Sequence, residues 1–193
     1  DIKRDPVTGF SADALETRSG RFALDTLVLA TGFDAMTGAL TAIAIRGRKR
    51  VSLRDNWRDG AGAYLGLAVA GFPNMFVITG PGSPSVLANV ILAIEQHVEW
   101  LGDLLRHAQA QGITEIEAHA TAQESWMAGV RDSADRTLYP RANSWYTGAN
   151  VPGKPRVFMP YVDGFQIYEA ACKDVAAAGY RGFHMACATE VAA

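Results

Sequence analysis

Residues 74–112 read NMFVITGPGSPSVLANVILAIEQHVEWLGDLLRHAQAQG, and their grammar decides the fold class. The apolar run from Asn74 to Thr79 follows a Phe72-Pro73 turn pair and is closed by Gly80-Pro81-Gly82. Such a run predicts a strand buried on both faces, as in a parallel sheet. The residues after Gly82 predict a long helix. Ser83 is a candidate N-cap with Pro84 at the first helical position, and Ser85 could take over the cap. Leu87, Val90, Ile91, Ile94, Val98, Leu101 and Leu105 recur at three- and four-residue spacing, and Gly112 stops the run. A strand delivered through a glycine turn into a helix is the unit of an open α/β sheet.

Outward from this segment the same grammar continues. RFALDTLVLATG, residues 21–32, carries a second buried-strand pattern in Leu27-Val28-Leu29-Ala30. Short alternating pieces and a glycine-rich stretch lie between the two runs. A helix is expected over Ala122–Arg136 with Trp126 and Val130 inward, and a last one over Ile167–Ala178, stopped by Gly179. Leu138–Phe165 has four prolines and reads as loop with short extended pieces.

Composition narrows the functional classes. The 193 residues suffice for one ordinary domain, and half are apolar. Eighteen basic against twenty acidic side chains argue against a dedicated nucleic-acid binder. The basic run RGRKR, Arg46–Arg50, reads as a solvated loop or strand end rather than a phosphate clamp. Two cysteines, Cys172 and Cys187, and four scattered histidines give neither a disulfide framework nor a metal site, and the default setting is cytoplasmic. DIKRDPVTGF lacks the apolar core of a signal peptide, and the most apolar stretch is too short to span a bilayer. Without an initiating Met, the polar opening reads as the inside of a longer polypeptide.

Three motifs fail on context. GANVPGKP, Gly148–Pro155, is one residue short of a P-loop: Pro155 replaces the metal-holding hydroxyl, Pro152 removes a donor N–H, and neither a buried strand nor a helix flanks it. It remains a structural loop, or a mobile one meeting a ligand with Trp145 and Lys154. GAGAYLG, Gly60–Gly66, lacks the preceding strand of a dinucleotide fingerprint. GPGSP, Gly80–Pro84, lacks the second glycine of a nucleophile elbow. His97 reads as a satisfied core histidine, and Glu95 with Glu99 as a solvated pair. Two turns stay open between ordinary tight turns and ligand seats: the Gly-Pro-Gly entry to the long helix and Ala30-Thr31-Gly32.

Asp25–Gly38, DTLVLATGFDAMTG, resembles the D-x-x-[V/I]-x-A-T-G-[F/Y]-D-x-x-T-G motif of the Baeyer–Villiger monooxygenases. Pro73-Asn74-Met75-Phe76, Gly80-Pro81 and Ile94–Trp100 resemble that family's P-N-[ML]-F…G-P…(I/L)-E-x-x-V-E-W passage, and Ser144–Pro155 its mobile control loop. The resemblance covers most of the chain, nearest the phenylacetone, steroid and large-ring ketone members. It implies an α/β fold: the C-terminal portion of a flavoprotein with two Rossmann-like dinucleotide-binding domains, its end helical and loop-rich. Residues 1–38 would close the NADP domain and return the chain. Residues 39–193 would form the second half of the FAD domain, with the control loop at 141–156.

The implied function is an FAD- and NADPH-dependent monooxygenase. It would insert one oxygen atom of O₂ beside a ketone carbonyl, through a C4a-peroxyflavin, to give an ester or lactone. The alternatives are an N- or S-oxygenating flavin monooxygenase, or an isolated piece without turnover. By position, Thr31, Gly32, Gly80, Pro81, Ser85, Val86, Leu87, Trp145 and Lys154 would meet the cofactors, and Ser85, Val86, Leu87 and Val90 the substrate. The family's F-x-G-x-x-x-H-x-x-x-W-P fingerprint, both G-x-G-x-x-G loops and its catalytic arginine have no counterpart here. No catalytic residue is therefore assigned, and the expected partner is the N-terminal two-thirds of the same enzyme.

Overall fold

The computed structural model describes residues 1–29, 34–85 and 87–188. The chain divides into two compact units, residues 1–32 and 33–193.

The first unit is a three-stranded antiparallel sheet, β1 (Val7–Phe10), β2 (Ala14–Thr17) and β3 (Arg21–Ala23), in that order. The Asp5 carboxylate ties its edge by accepting from the Thr17 hydroxyl at 2.7 Å and the Ser19 N–H at 3.0 Å. The strand expected at Leu27–Ala30 is not seen in the described part. Leu27, Val28 and Leu29 have no regular structure and are exposed. A strand buried on both faces needs a hydrogen-bonded neighbour on each side, and no described strand pairs with this one. Ala30–Gly32 lie outside the described residues.

The second unit begins with two short helices, α1 (Gly38–Ala42) and α2 (Leu53–Asn56). The Ser52 hydroxyl caps α2 by accepting the Asp55 N–H at 3.0 Å. Then follow α3 (Val90–Gln111), β4 (Ile113–Ala118), α4 (Ala120–Asp135), α5 (Phe165–Ala177) and β5 (Phe183–Cys187). β4 and β5 pair antiparallel, with Ile116 opposite Met185. Residues 136–164 form loop with two tight helical turns, at Tyr139–Arg141 and Trp145–Thr147. The main core gathers Trp100, Leu104, Ile116, Val130, Tyr168 and Phe183 between the helices and the two-stranded sheet. A smaller core forms around Leu53, Trp57, Val69, Phe72 and Met159. The structure is mixed α/β with a helical and loop-rich end. Its described strands are antiparallel, so the open parallel sheet expected from the apolar runs is not formed among them.

Three expectations in the 74–112 stretch are corrected. Residues 74–79 are not a strand: Phe76 makes a single bridge to Ala68, and Asn74 and Thr79 both take left-handed backbone, φ 57° and 54°. The helix starts at Val90, not at Ser83. The Ser83 carbonyl accepts the Tyr161 N–H at 2.9 Å, and its hydroxyl donates back to Gly80 O at 2.7 Å, which ties Ser83 into the turn. Asn89 caps instead, its side chain accepting the Ile91 N–H at 3.0 Å, and Gly112 ends the helix at φ 68°. The buried face is also turned from the expected one. Ala93, His97, Trp100, Leu101, Leu104 and Ala108 face the core, while Val90, Ile94, Val98 and Leu105 form an exposed apolar stripe. No described helix is long and apolar enough to cross a membrane.

In the RGRKR run, Arg48 pairs with both Glu115 and Glu117 on β4, and its N–H donates to Gly71 O at 2.7 Å. This arginine fastens a turn to the sheet.

Candidate functional site

The GPGSPS turn, residues 80–85, is seated before it can be approached by anything else. Gly80 N–H donates to Gly66 O at 3.0 Å, Gly82 N–H to Met159 O at 2.7 Å and Ser83 N–H to Gly80 O at 3.1 Å, while the Trp126 indole donates to Gly82 O at 3.0 Å. Glycine is required at 66, where φ is 70° and a Cβ would lie 2.4 Å from Ser83 Cβ. Gly80 and Pro81 are buried. Their backbone offers no spare donor to an anion, because Gly80 N–H is engaged and proline has none. The first group on the turn with unused capacity is Ser85, whose buried hydroxyl oxygen has no partner among the described residues. An orphaned polar atom of this kind calls for a partner from elsewhere. Leu87 is 59% exposed and Val90 41% exposed, so both remain open to contact. Val86, between Ser85 and Leu87, lies outside the described residues, as do Thr31 and Gly32.

The second group of expected residues lies on the 144–155 loop. The Ser144 hydroxyl accepts the Tyr146 N–H at 3.3 Å and opens the tight turn that carries Trp145. Trp145 is 44% exposed and packs on Tyr146 with ring centroids 3.9 Å apart. Tyr146 meets Tyr139, which meets Phe158, so an aromatic row anchors the loop and leaves Trp145 partly exposed. Lys154 is engaged within the chain. Its ammonium donates to the Asp34 carboxylate and, at 2.7 Å, to the Thr37 hydroxyl, which in turn donates to Asp34 at 3.2 Å. Burial alone would raise the Asp34 carboxyl, but the hydrogen bond and charge of Lys154, with Thr37, bring it below the usual carboxylate value. A cavity of about 400 Å³ opens beside this pair, bounded by Arg54, Trp57, Arg58 and residues 151–155.

Sequence reasoning did not single out Asp34 and Thr37, although both stand in the quoted D-x-x-T-G segment. Their three-residue spacing, which lets a hydroxyl reach a carboxylate across one turn, was the available signal. A larger cavity of about 540 Å³ lies elsewhere, against α4 and α5, and none of the expected site residues lines it. His97 is fully buried, as a core histidine should be. It accepts the Thr79 N–H through Nδ1 at 3.1 Å, and its Nε2 lies 2.7 Å from the Tyr168 hydroxyl. Desolvation depresses its pKa to about 4.

Comparison with known proteins places these features in a family. No family model matches the chain. It is 42% identical over 184 residues, 94% of its length, to an acetone monooxygenase (methyl acetate-forming) of Gordonia sp. (strain TY-5). It is 37% identical over 183 residues, again 94% of its length, to the phenazine N-monooxygenase PhzNO1 of Lysobacter antibioticus. Among solved structures, a complex of OTEMO with FAD and NADP superposes with a TM-score of 0.86 at 34% identity, covering 96% of this chain. The chain spans about a third of each of these proteins, 34% in all three cases. Identity of this order along nearly the whole chain, with matching structure, establishes homology: the chain belongs to the Baeyer–Villiger and related flavin monooxygenases, of which it corresponds to about one third.

Proposed function

We propose that the chain is the part of an FAD- and NADPH-dependent monooxygenase that shapes the approach to the flavin and carries the lid over the nicotinamide dinucleotide. The reaction is insertion of one oxygen atom of O₂ beside a ketone carbonyl, giving an ester or lactone. One observation carries this reading: nearly the whole chain aligns with an enzyme named for making methyl acetate from acetone. FAD supplies the oxygen-transferring chemistry and NADPH the reducing equivalents. The chain's own residues bind, orient and exclude water. Ser85, at the end of a rigidly seated turn, holds a hydroxyl without a partner among the described residues, which fits a polar edge of a cofactor. Leu87 and Val90 offer apolar contact for a ketone's carbon skeleton. Trp145 presents an open aromatic face for stacking on a flat ring, from a loop held at its far end by Lys154, Asp34 and Thr37. Thr31, Gly32 and Val86 belong to the same proposal through their places in the aligned motifs. Gly80 and Pro81 act by positioning rather than donation, and Lys154 reaches a cofactor phosphate only by leaving Asp34.

In this reading residues 1–38 close the NADP domain, residues 39–193 complete the FAD domain, and the enzyme is cytoplasmic. N-oxygenation is the second reading, favoured by the identity to a phenazine N-monooxygenase. A chimera decides between them: these 193 residues replace the aligned third of the acetone monooxygenase. Ketone-to-ester turnover with NADPH supports the first reading, and phenazine N-oxide without ester supports the second. A folded, FAD-loaded chimera that makes neither product sinks both.

A further inference from the structure

Leu65 and Thr79 both sit in left-handed backbone, at φ 55° and 54°, and each is followed by a glycine. Those two glycines touch, through the Gly80 N–H to Gly66 O bond. A left-handed conformation is uncommon for leucine, and for β-branched threonine it is an outlier. Strained residues persist only where the surroundings over-determine them, and they gather at functional sites. In this chain one pair of side chains reaches both residues. His97 on α3 accepts the Thr79 N–H, and Tyr168 on α5, equally buried, donates to Leu65 O at 2.6 Å.

The proton inventory of the pair closes without remainder. A backbone N–H can only donate, so Nδ1 of His97 carries no proton. The neutral ring therefore holds its proton on Nε2, which donates to the Tyr168 oxygen, while the tyrosine's single proton goes to Leu65 O. The chain Thr79 N–H to His97 to Tyr168 to Leu65 O runs in one direction and satisfies every group in it. We propose that His97, acting through Tyr168, is a positioning residue: the pair holds Leu65 and Thr79 in their left-handed conformations and so sets where the 80–85 turn, with Ser85 at its end, stands. A histidine that only filled space would be replaced without loss by an apolar side chain of similar size. One that spans two strained loops would not.

Amide hydrogen exchange on the 193-residue chain tests this, with Ile116 of β4 as the control for global opening. Histidine nitrogen shifts should show His97 as the Nε2–H tautomer. His97→Leu should speed exchange at Thr79 at least tenfold and leave Ile116 unchanged. His97→Asn, which keeps an acceptor near the Nδ1 position, should hold Thr79 within about threefold of the parent. Tyr168→Phe should loosen Leu65 and Gly66 and shift the His97 nitrogens, a measurement that remains decisive if the leucine variant does not fold. An Nδ1–H tautomer, unaltered Thr79 exchange in the leucine variant, or Thr79 and Ile116 changing in step would each overturn the proposal. Its bearing on a ligand rests on the flavoprotein reading, and the chimera separates the two. A parental chimera without FAD counts against that reading alone. A parental chimera that keeps FAD while its His97→Leu form binds it as tightly counts against positioning.

Discussion

The contact between Lys154 and Asp34 joins residues 120 apart in sequence, and its energy can be worked from the structure. The side chains are 18% and 30% exposed, between a surface pair and a buried one. Exposed pairs couple by roughly 0.2–1 kcal/mol. Breaking a fully buried pair costs about 3–5 kcal/mol, because a charge is left without a partner. The intermediate burial, with Thr37 sharing both charges, predicts a coupling of about 1–2 kcal/mol. Lys154→Met should cost about 2 kcal/mol, because Asp34 keeps only the Thr37 hydroxyl. Asp34→Asn should cost about 1–2 kcal/mol, and the double variant little more than the worse single one. Urea unfolding of the four chains yields the coupling by difference. The folded Asp34 carboxyl lies below its unfolded value, so its contribution is complete above pH about 4 and is lost as pH falls through the folded value. Single-variant effects that add within about 0.3 kcal/mol would refute the coupling, and with it the claim that the pair holds the 148–155 loop.

Other outcomes follow from the same geometry. With His97 depressed to about 4, stability should be level above pH 6.5 and drop by about 3 kcal/mol between 6.5 and 4, as the unfolded chain binds a proton that the folded one refuses. Urea midpoints at several pH values should show that slope in the parent and a shallower one in His97→Asn. Gly66 and Gly112 have nearly equal φ, 70° and 68°, but only Gly66 lacks room for a methyl group. Gly112→Ala should cost about 1 kcal/mol and Gly66→Ala at least about 3 kcal/mol in the same denaturation assay; equal losses would mean that close packing against Ser83 does not matter. In the chimera, Trp145→Ala should leave stability within about 1 kcal/mol while weakening NADP⁺ retention and ester yield per NADPH, and unaltered coupling would remove Trp145 from the lid. Substitutions at Leu87 and Val90 should change which ketones are turned over more than the FAD content. A constant substrate profile would take both off the substrate wall.

What the sequence made legible was local. The stop at Gly112, the helices α4 and α5 and the loop tract before α5 all follow from periodicity and punctuation, and their ends fall within two residues of expectation. The apolar run at 74–79 misled because composition cannot distinguish a strand from a buried turn. Its backbone is decided by partners such as Leu67 and Ile116, which periodicity does not name. The helix start misled because Ser83-Pro84 and Asn89 are both good openings, and the choice was made by Tyr161 across the fold. β4 carries visible alternation in Ile113-Thr-Glu-Ile-Glu-Ala, yet its partner β5 lies some seventy residues on. Within the candidate site the motifs could be read from the sequence, whereas the contacts that hold them could not. Lys154 with Asp34 and His97 with Tyr168 are long-range pairs, and their spacing carries no period.

The contact of Gly66 with Gly80 and Ser83 also bears on how such a site can be altered. A position defined by the absence of a side chain has no graded alternatives: the smallest addition at 66 already collides with Ser83. Mutant libraries that randomise the seat should yield mostly unfolded clones. Libraries confined to positions 87 and 90 explore side chains with space around them, and the useful diversity should concentrate there. A lineage acquiring new substrates would face the same asymmetry, conserving the two glycines while the wall beyond them drifts.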